Sequence, residues 1–446
     1  MKNILLICCV LILNACSSSE KAATDPEEFS LSAEEQKIFD EVQQATFQYF
    51  WNGAEPNSGL ARERYHVDGV YPENDKNIIT SGGGGFGVMA ILVGIERGFI
   101  TRQEAVQRLT KIVTFLENAD TFHGAWPHWW NGETGKVKPF SPKDDGGDLV
   151  ETSFMLQGLL CVRQYFADGT AEEKQLAARC DALWRAVDFN WYRNGKNVLY
   201  WHWSPNYGWE MNFAVTGYNE CLIMYVLAAS SPTHAVPAEV YHEGWAQNGA
   251  INGTTTKYGY TLHLKHNGAP EWGGPLFWAH YSYLALDPRK LRDQYASYWE
   301  ENRNQTLINY NWCLENPRGF KGYGADSWGL TASYSVNGYH AHAPGAGQDL
   351  GVISPTAALS SMPYTPRQST AAMKNWYLHK KEKLFGPFGF YDAFSETANW
   401  YPQRYLAIDQ GPVVVMMENY RSGLLWNLFM SCDEIKAGLN KLGFTY

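Results

Sequence analysis

Eight consecutive residues, Asp144-Asp145-Gly146-Gly147-Asp148-Leu149-Val150-Glu151, hold four carboxylates and run straight into the apolar stretch 152–160. Side chains three or four apart share a helix face. A helix opening at Asp148 therefore puts Glu151 on the same side one turn later, with Asp144 and Asp145 on the glycine-hinged loop before it. Crowded carboxyls resist simultaneous ionisation, which keeps some of them protonated and able to serve as general acids. The same residues also admit a structural role: Asp-x-x-Glu before an apolar run is a capping box, with Asp148 as the cap. That role leaves Asp144 and Asp145 unexplained. Just upstream, Trp126-Pro127-His128-Trp129-Trp130 places aromatic faces beside the acids, as a sugar cleft would.

Two more acids stand among apolar or aromatic neighbours. Glu220 lies in Tyr218-Asn219-Glu220-Cys221-Leu222, and Asp409 in Ile408-Asp409-Gln410-Gly411-Pro412. Each stands at the entrance of an apolar helical run, where the helix dipole favours a negative charge. A carboxyl against low-dielectric walls also has a raised pKa and suits general acid–base work. Aromatic residues recur in loop-like segments that do not need indoles for packing: Trp201-His202-Trp203, Tyr207-Gly208-Trp209 and Trp400-Tyr401. Trp126, Trp129, Trp130, Trp201, Trp203, Trp272, Trp328 and Trp400 are expected, with His128, to line a cleft and stack on sugar rings.

Other chemistries fit less well. Ser81-Gly82-Gly83-Gly84-Gly85-Phe86-Gly87 contains Gly-x-Gly-x-x-Gly, but the alternating strands and helices of a dinucleotide fold are absent around it. Its glycines instead let a helix start approach its neighbours or a sugar closely. His340/His342 and His263/His266 have no third ligand nearby, so no catalytic metal and no cofactor is expected. No Gly-x-Ser-x-Gly elbow occurs. The net charge of −10 argues against nucleic acid and anionic polysaccharides and leaves a neutral substrate open.

These groups are carried by a chain of 446 residues, 45% hydrophobic and 18% charged, which is globular in composition. Capping signatures at Ser32, Thr101, Thr170 and Thr365 open helices, and further helices are expected near 84–97, 148–167, 215–230, 276–286, 290–312, 355–362 and 409–430. Strand-like alternation is sparse. A dozen or so helices with long loops between pairs imply an all-α toroid, and no fixed sequence period points to a superhelical repeat. A basic start, ten apolar residues from Ile4 to Leu13 and Leu13-Asn14-Ala15-Cys16 read as a lipoprotein signal over 1–15. Cys16 would carry the lipid, 16–32 would be a polar tether, and 33–446 the folded domain. The remaining cysteines, Cys161, Cys180, Cys221, Cys313 and Cys432, read as buried free thiols.

In order along the chain, the 144–152 motif, Tyr218-Asn219-Glu220, Glu271-Trp272-Gly273-Gly274-Pro275, Tyr323-Gly324-Ala325-Asp326-Ser327-Trp328-Gly329 and Asp409-Gln410-Gly411-Pro412 resemble the glycoamylase-like lipoprotein family, and within it glycoside hydrolase family 144, the bacterial β-1,2-glucanases. The resemblance covers 33–446. It implies an (α/α)6 barrel with long aromatic-rich loops and an inverting hydrolase, with Glu220 as general acid, Asp409 as general base, and Asp144, Asp148 and Glu151 as supporting or sugar-binding acids. Inversion needs room for a water, about 6.5–9.5 Å between the two carboxyl groups. The implied substrate is a neutral β-glucan, β-1,2-linked, cut internally or into sophorose units. The chain is then a monomer held in the bacterial cell envelope by its N-terminal lipid. A glucoamylase-like hydrolase of another glucan is the alternative, as is a non-catalytic glycan-binding lipoprotein, which would not need five acids converging in one place. A lyase is disfavoured because the acid-rich motifs offer few cations to neutralise a uronate.

Overall fold

The computed structural model describes residues 29–446; the signal segment, Cys16 and most of the tether lie outside them. Thirteen α-helices dominate the described residues: α1 (Ala33–Trp51), α2 (Ser81–Glu96), α3 (Arg102–Asn118), α4 (Leu149–Phe166), α5 (Ala171–Arg185), α6 (Leu222–Ser230), α7 (Tyr298–Glu315), α8 (Pro355–Ser360), α9 (Pro366–His379), α10 (Lys381–Leu384), α11 (Ala407–Arg421), α12 (Leu424–Met430) and α13 (Asp433–Lys441). Strands are two to six residues long and pair into small two- or three-stranded sheets between helices.

Two kinds of helix alternate. α1, α3 and α5 bury one stripe and open on complete capping boxes at Ser32, Thr101 and Thr170. α2, α4 and α6 are buried on nearly every side. An apolar stripe suits an outer position and an all-apolar surface an inner one. α2 packs on α4 and α11, and α4 on α5. The glycine run makes that inner packing possible. A Cβ on Gly85 would lie 2.3 Å from the Phe154 carbonyl oxygen and 2.4 Å from Met155 Cα, so α2 and α4 meet backbone to backbone.

Four expectations are corrected. Thr365 caps nothing with its side chain: its hydroxyl turns to the Ser361 carbonyl and Ser369, and α9 starts from Pro366 alone. The helix expected over 276–286 is two short 3-10 turns, Leu276–Ala279 and Tyr281–Tyr283. Side chains of other elements capture the carbonyls a helix would use: Tyr364 bonds the Ala279 oxygen (2.9 Å), Gln157 that of Tyr281 (3.0 Å) and Trp426 that of Tyr283 (2.8 Å). Helices begin at 222 and 298 rather than at 215 and 290. The run expected over 409–430 splits into α11 and α12 at Gly423, whose φ of 69° is left-handed. The five described cysteines are free and buried, as expected.

Gly85→Ala separates helix propensity from packing. Alanine gains about 1 kcal/mol of intrinsic propensity over glycine, but the backbone of α4 cannot yield to the new Cβ, so a net loss of about 1–3 kcal/mol is expected. Gly84→Ala meets only the Met155 and Leu60 side-chain ends, at 3.1 and 3.2 Å, and should be close to neutral. Thermal unfolding of the two variants reads the difference; equal melting temperatures would refute the close-packing account.

Candidate active site

α4, α11, the 276–283 turns and the strands and loops around them line a cleft of about 870 Å³, with Glu220, Glu151, His128, Trp129, Trp201 and Trp400 among its lining residues. Of the five acids expected to converge there, Glu151 and Glu220 line the cleft, while Asp144, Asp148 and Asp409 are absent from its lining. Gly147 and Asp148 pair with Trp203 and His202 as a short antiparallel ladder. Asp148 caps α4, its Oδ1 accepting from the Glu151 N–H at 2.9 Å. The capping reading of Asp148 holds, and it does not exhaust the residue. Its Oδ2 takes the Trp201 indole N–H (3.0 Å) and the His128 ring (3.0 Å), which fixes two cleft-lining side chains. Asp144 bonds His202 Nε2 at 3.2 Å. Asp145 accepts from the Ser204 hydroxyl and the Asn206 amide and so holds the 204–206 turn against the motif.

Glu151 does not reach back to the cap. Its Oε2 accepts from the Gly82 N–H (2.8 Å) and the Thr80 hydroxyl (3.3 Å) at the start of α2. A carboxylate suits a helix N-terminus. Burial nevertheless pushes Glu151 up to about 7, against the pull of His128. His128 loses basicity to burial and more than regains it from Glu151, Asp148 and Asp144, rising to about 9. Asp148 is held low despite burial because His128 bonds it. His128, Asp144 and Asp148 offer ligand atoms within 4.8 Å of one another, but the Asp148 oxygen nearest His128 is already occupied by two donors, and the trio reads as a hydrogen-bonded brace.

Glu220 precedes α6 and faces the cleft 8% exposed, its pKa driven up to about 7 by burial and then by Glu151 and Asp148. Near neutral pH it holds a transferable proton. Asp409, in the first turn of α11, is 3% exposed and is absent from the cleft lining. It borders a pocket of about 10 Å³ behind Phe277 and Tyr281, two residues that also line the cleft; that is room for one water. The Tyr281 hydroxyl donates to Asp409 Oδ1 at 3.3 Å. Burial, then the charge and hydrogen bond of Asp392, raise Asp409 far above the usual carboxylate range. Asp392, fully buried and fixed by the Tyr334 N–H at 3.0 Å, is itself raised to about 6. The two carboxyls titrate as a pair, Asp409 the harder of the two to ionise.

The expected tryptophans divide. Trp129, Trp201 and Trp400 line the cleft. Trp126, Trp130 and Trp328 are core residues, at most 1% exposed, with their indole N–H groups spent on the carbonyls of Leu116, Asp120 and Gln368; no sugar ring can reach them. Trp203 packs edge-on to His123 and Trp191, and Trp272 lies under Lys257 and against Trp312, both away from the cleft lining. Sequence reasoning missed Asp392, the Glu63–Arg64 ion pair and the hairpin of Ala332–Ser335 and Gly338–Ala341, whose Tyr334 and Tyr339 line the cleft. Asp392 sits in Phe390-Tyr391-Asp392-Ala393-Phe394, an acid among aromatics, the same signal that singled out Glu220 and Asp409.

With this geometry in view, the comparisons with known proteins are direct. A family profile described as "Putative glucoamylase" matches residues 212–433. An endo-β-1,2-glucanase from Chitinophaga pinensis, solved with sophorotriose and glucose, is 72% identical and superposes with a TM-score of 0.92 over 94% of this chain and 99% of that one. The chain belongs to the glucoamylase-like family. An exo-β-1,2-glucooligosaccharide sophorohydrolase from Parabacteroides distasonis is 47% identical over 429 residues; the match covers 92% of this glucoamylase-like chain and 58% of that relative's length. An endo-β-1,2-glucanase from the fungus Talaromyces funiculosus shares 12% identity at a TM-score of 0.65, a likeness of fold alone.

Linkage gives a test of the site's electrostatics. A carboxyl whose pKa is raised by folding binds its proton in the native state where the unfolded chain has lost it, so stability falls as pH rises from the unfolded value towards the folded one. For Glu220 that window runs from 4.5 to about 7. Glu220→Gln removes the penalty, and its melting temperature should exceed the parent's by a few degrees at pH 8 while matching it at pH 4. Equal curves at both pH values would show that Glu220 ionises without cost.

Proposed function

We propose that this protein is an inverting glycoside hydrolase with an (α/α)6 barrel that cleaves linear β-1,2-glucan or its oligosaccharides. The observation that carries the reading is the buried Glu220 facing a cleft that Tyr281 also lines, with the Asp392–Asp409 pair joined to it through the tyrosine's hydroxyl. Kinship to the β-1,2-glucan-cleaving relatives supplies the linkage. Inner helices α2, α4, α6, α8 and α11, with the two 3-10 turns of 276–283, form the inner ring, and the one-sided helices the outer one.

Glu220 protonates the departing glycosidic oxygen. Asp409 draws a proton, directly or through a substrate hydroxyl, from the water that attacks the anomeric carbon from the other face. The like charge of Asp392 keeps Asp409 from ionising readily in the resting site and so raises its affinity for the proton of the water. Glu151, Asp148 and Asp144 orient His128, Trp129 and Trp201, and Trp129, Trp201 and Trp400 stack on glucose rings. Lipidation at Cys16 would tether the enzyme, as a monomer, to the bacterial envelope, where it meets a neutral polymer.

Glu220→Gln and Asp409→Asn should each lower turnover on β-1,2-glucan by about 10²–10⁴-fold with oligosaccharide binding retained; losses below about tenfold would sink these roles. NMR of the first product should show the α-anomer, as inversion of a β-link requires, and the β-anomer would establish retention instead. Asp392→Asn removes a like charge beside Asp409 and lowers its pKa. The acid limb of the kcat/KM profile should therefore move to lower pH, whereas an unmoved limb would detach Asp392 from the base.

A further inference from the structure

A second pocket, of about 460 Å³, shares no lining residue with the cleft. Its walls are two of the loop indoles that the cleft does not use. Trp191 is 39% exposed, the one tryptophan among the exposed large hydrophobics of the described residues. One of its faces is held by His123, stacked at 3.7 Å between ring centroids and 16° between planes, and its edge by Trp203. Trp191 also lines the pocket. Trp209 stands 6.3 Å away, tilted by 35°, and is itself wedged edge-on against Tyr192 and Tyr200. Two fixed indoles thus make an angled platform.

The polar side of the pocket is equally fixed. Arg193 is pinned by Asn190 Oδ1 (2.9 Å), Asn197 Oδ1 (2.8 Å) and the Lys196 carbonyl (2.9 Å). Asp188 accepts from the Trp191 N–H at 2.9 Å. Asn194, left-handed at φ 48°, turns the chain at the rim. The carboxylate of Asp188 and the guanidinium of Arg193 offset each other, so the pocket selects no net charge. Rigid aromatic faces, amides and balanced charge are the recognition chemistry of a neutral sugar, and the volume lies in the usual range for ligand sites.

We propose that this pocket is a non-catalytic binding site for a segment of the same glucan chain, with a glucose ring stacked on Trp191. The proposal rests on the reading of the cleft as a β-1,2-glucan site. The 201–209 segment connects the two: Trp201 lines the cleft and Trp209 the pocket. A long polymer held at the pocket is delivered to the cleft at raised local concentration, whereas a short oligosaccharide gains nothing.

The test compares polymer with oligosaccharide. Trp191→Ala should raise KM for long linear β-1,2-glucan by about three- to tenfold, with kcat/KM for a four- or five-unit oligosaccharide within about twofold of the parent. Asn194→Gly tolerates the left-handed backbone and deletes only the amide, so it guards against misfolding of the tryptophan variant; it should shift polymer KM in the same direction. Polymer kinetics unchanged in both variants, or polymer and oligosaccharide constants falling together, would overturn the site. Should the parent not hydrolyse β-1,2-glucan at all, the cleft reading fails separately. The pocket is then judged by gel retardation of parent and Trp191→Ala in linear β-1,2-glucan, β-1,3-glucan and amylose: retardation lost with the indole upholds it, and identical migration in all three refutes it.

Discussion

The contact between α2 and α4 governs the site. Because the helices touch through glycine, the N-terminus of α2 comes within hydrogen-bonding distance of the Glu151 side chain, and a Cβ at Gly82 would collide with that carboxyl at 2.3 Å. Glu151 is therefore a tie between two inner helices before it is anything else. It draws His128 towards it electrostatically, His128 binds Asp148, and Asp148 fixes Trp201. One steric allowance at the helix interface thus propagates through charge and hydrogen bonds to the aromatic wall.

The cleft keeps its acids buried and manages them in different ways. Asp148 is stabilised as an anion by donors, whereas burial lifts Glu220, Asp392 and Asp409 above the usual carboxylate range. A buried anion without partners is too costly to persist, so each carboxyl either finds donors or stays protonated. Acid and base roles thereby arise from similar side chains in unlike surroundings.

Much of this was legible in the sequence. Three capping boxes, the glycine run and the apolar run after Asp148 fix local structure through contacts only a few residues apart, and α1, α2, α3, α4 and α5 formed where expected. Acids set among apolar residues marked Glu220 and Asp409 by the same logic. The failures share a cause: distant side chains decided the outcome. Tyr364, Gln157 and Trp426 unwound the 276–286 segment by taking its carbonyls. Trp126, Trp130 and Trp328 look like their cleft-lining counterparts in composition, and only tertiary burial tells a core indole from a stacking one. Asp392 lies in a loop 17 residues before Asp409 in α11, so no local pattern announces their partnership.

The buried thiols have a practical consequence. Burial raises the pKa of Cys161 and Cys221 far above the ordinary thiol value and moves Cys432 to about 11 and Cys180 to about 12, while Cys313 is raised as well. Thiolates are the reactive form, so the native domain offers alkylating and maleimide reagents almost nothing among its described residues. A single cysteine placed on an outer loop would be the one addressable sulfur among the described residues. Fluorophores or spin labels could then be set beside the cleft mouth or the second pocket without first removing the native cysteines, and the distance between labelled points followed as a glucan chain binds.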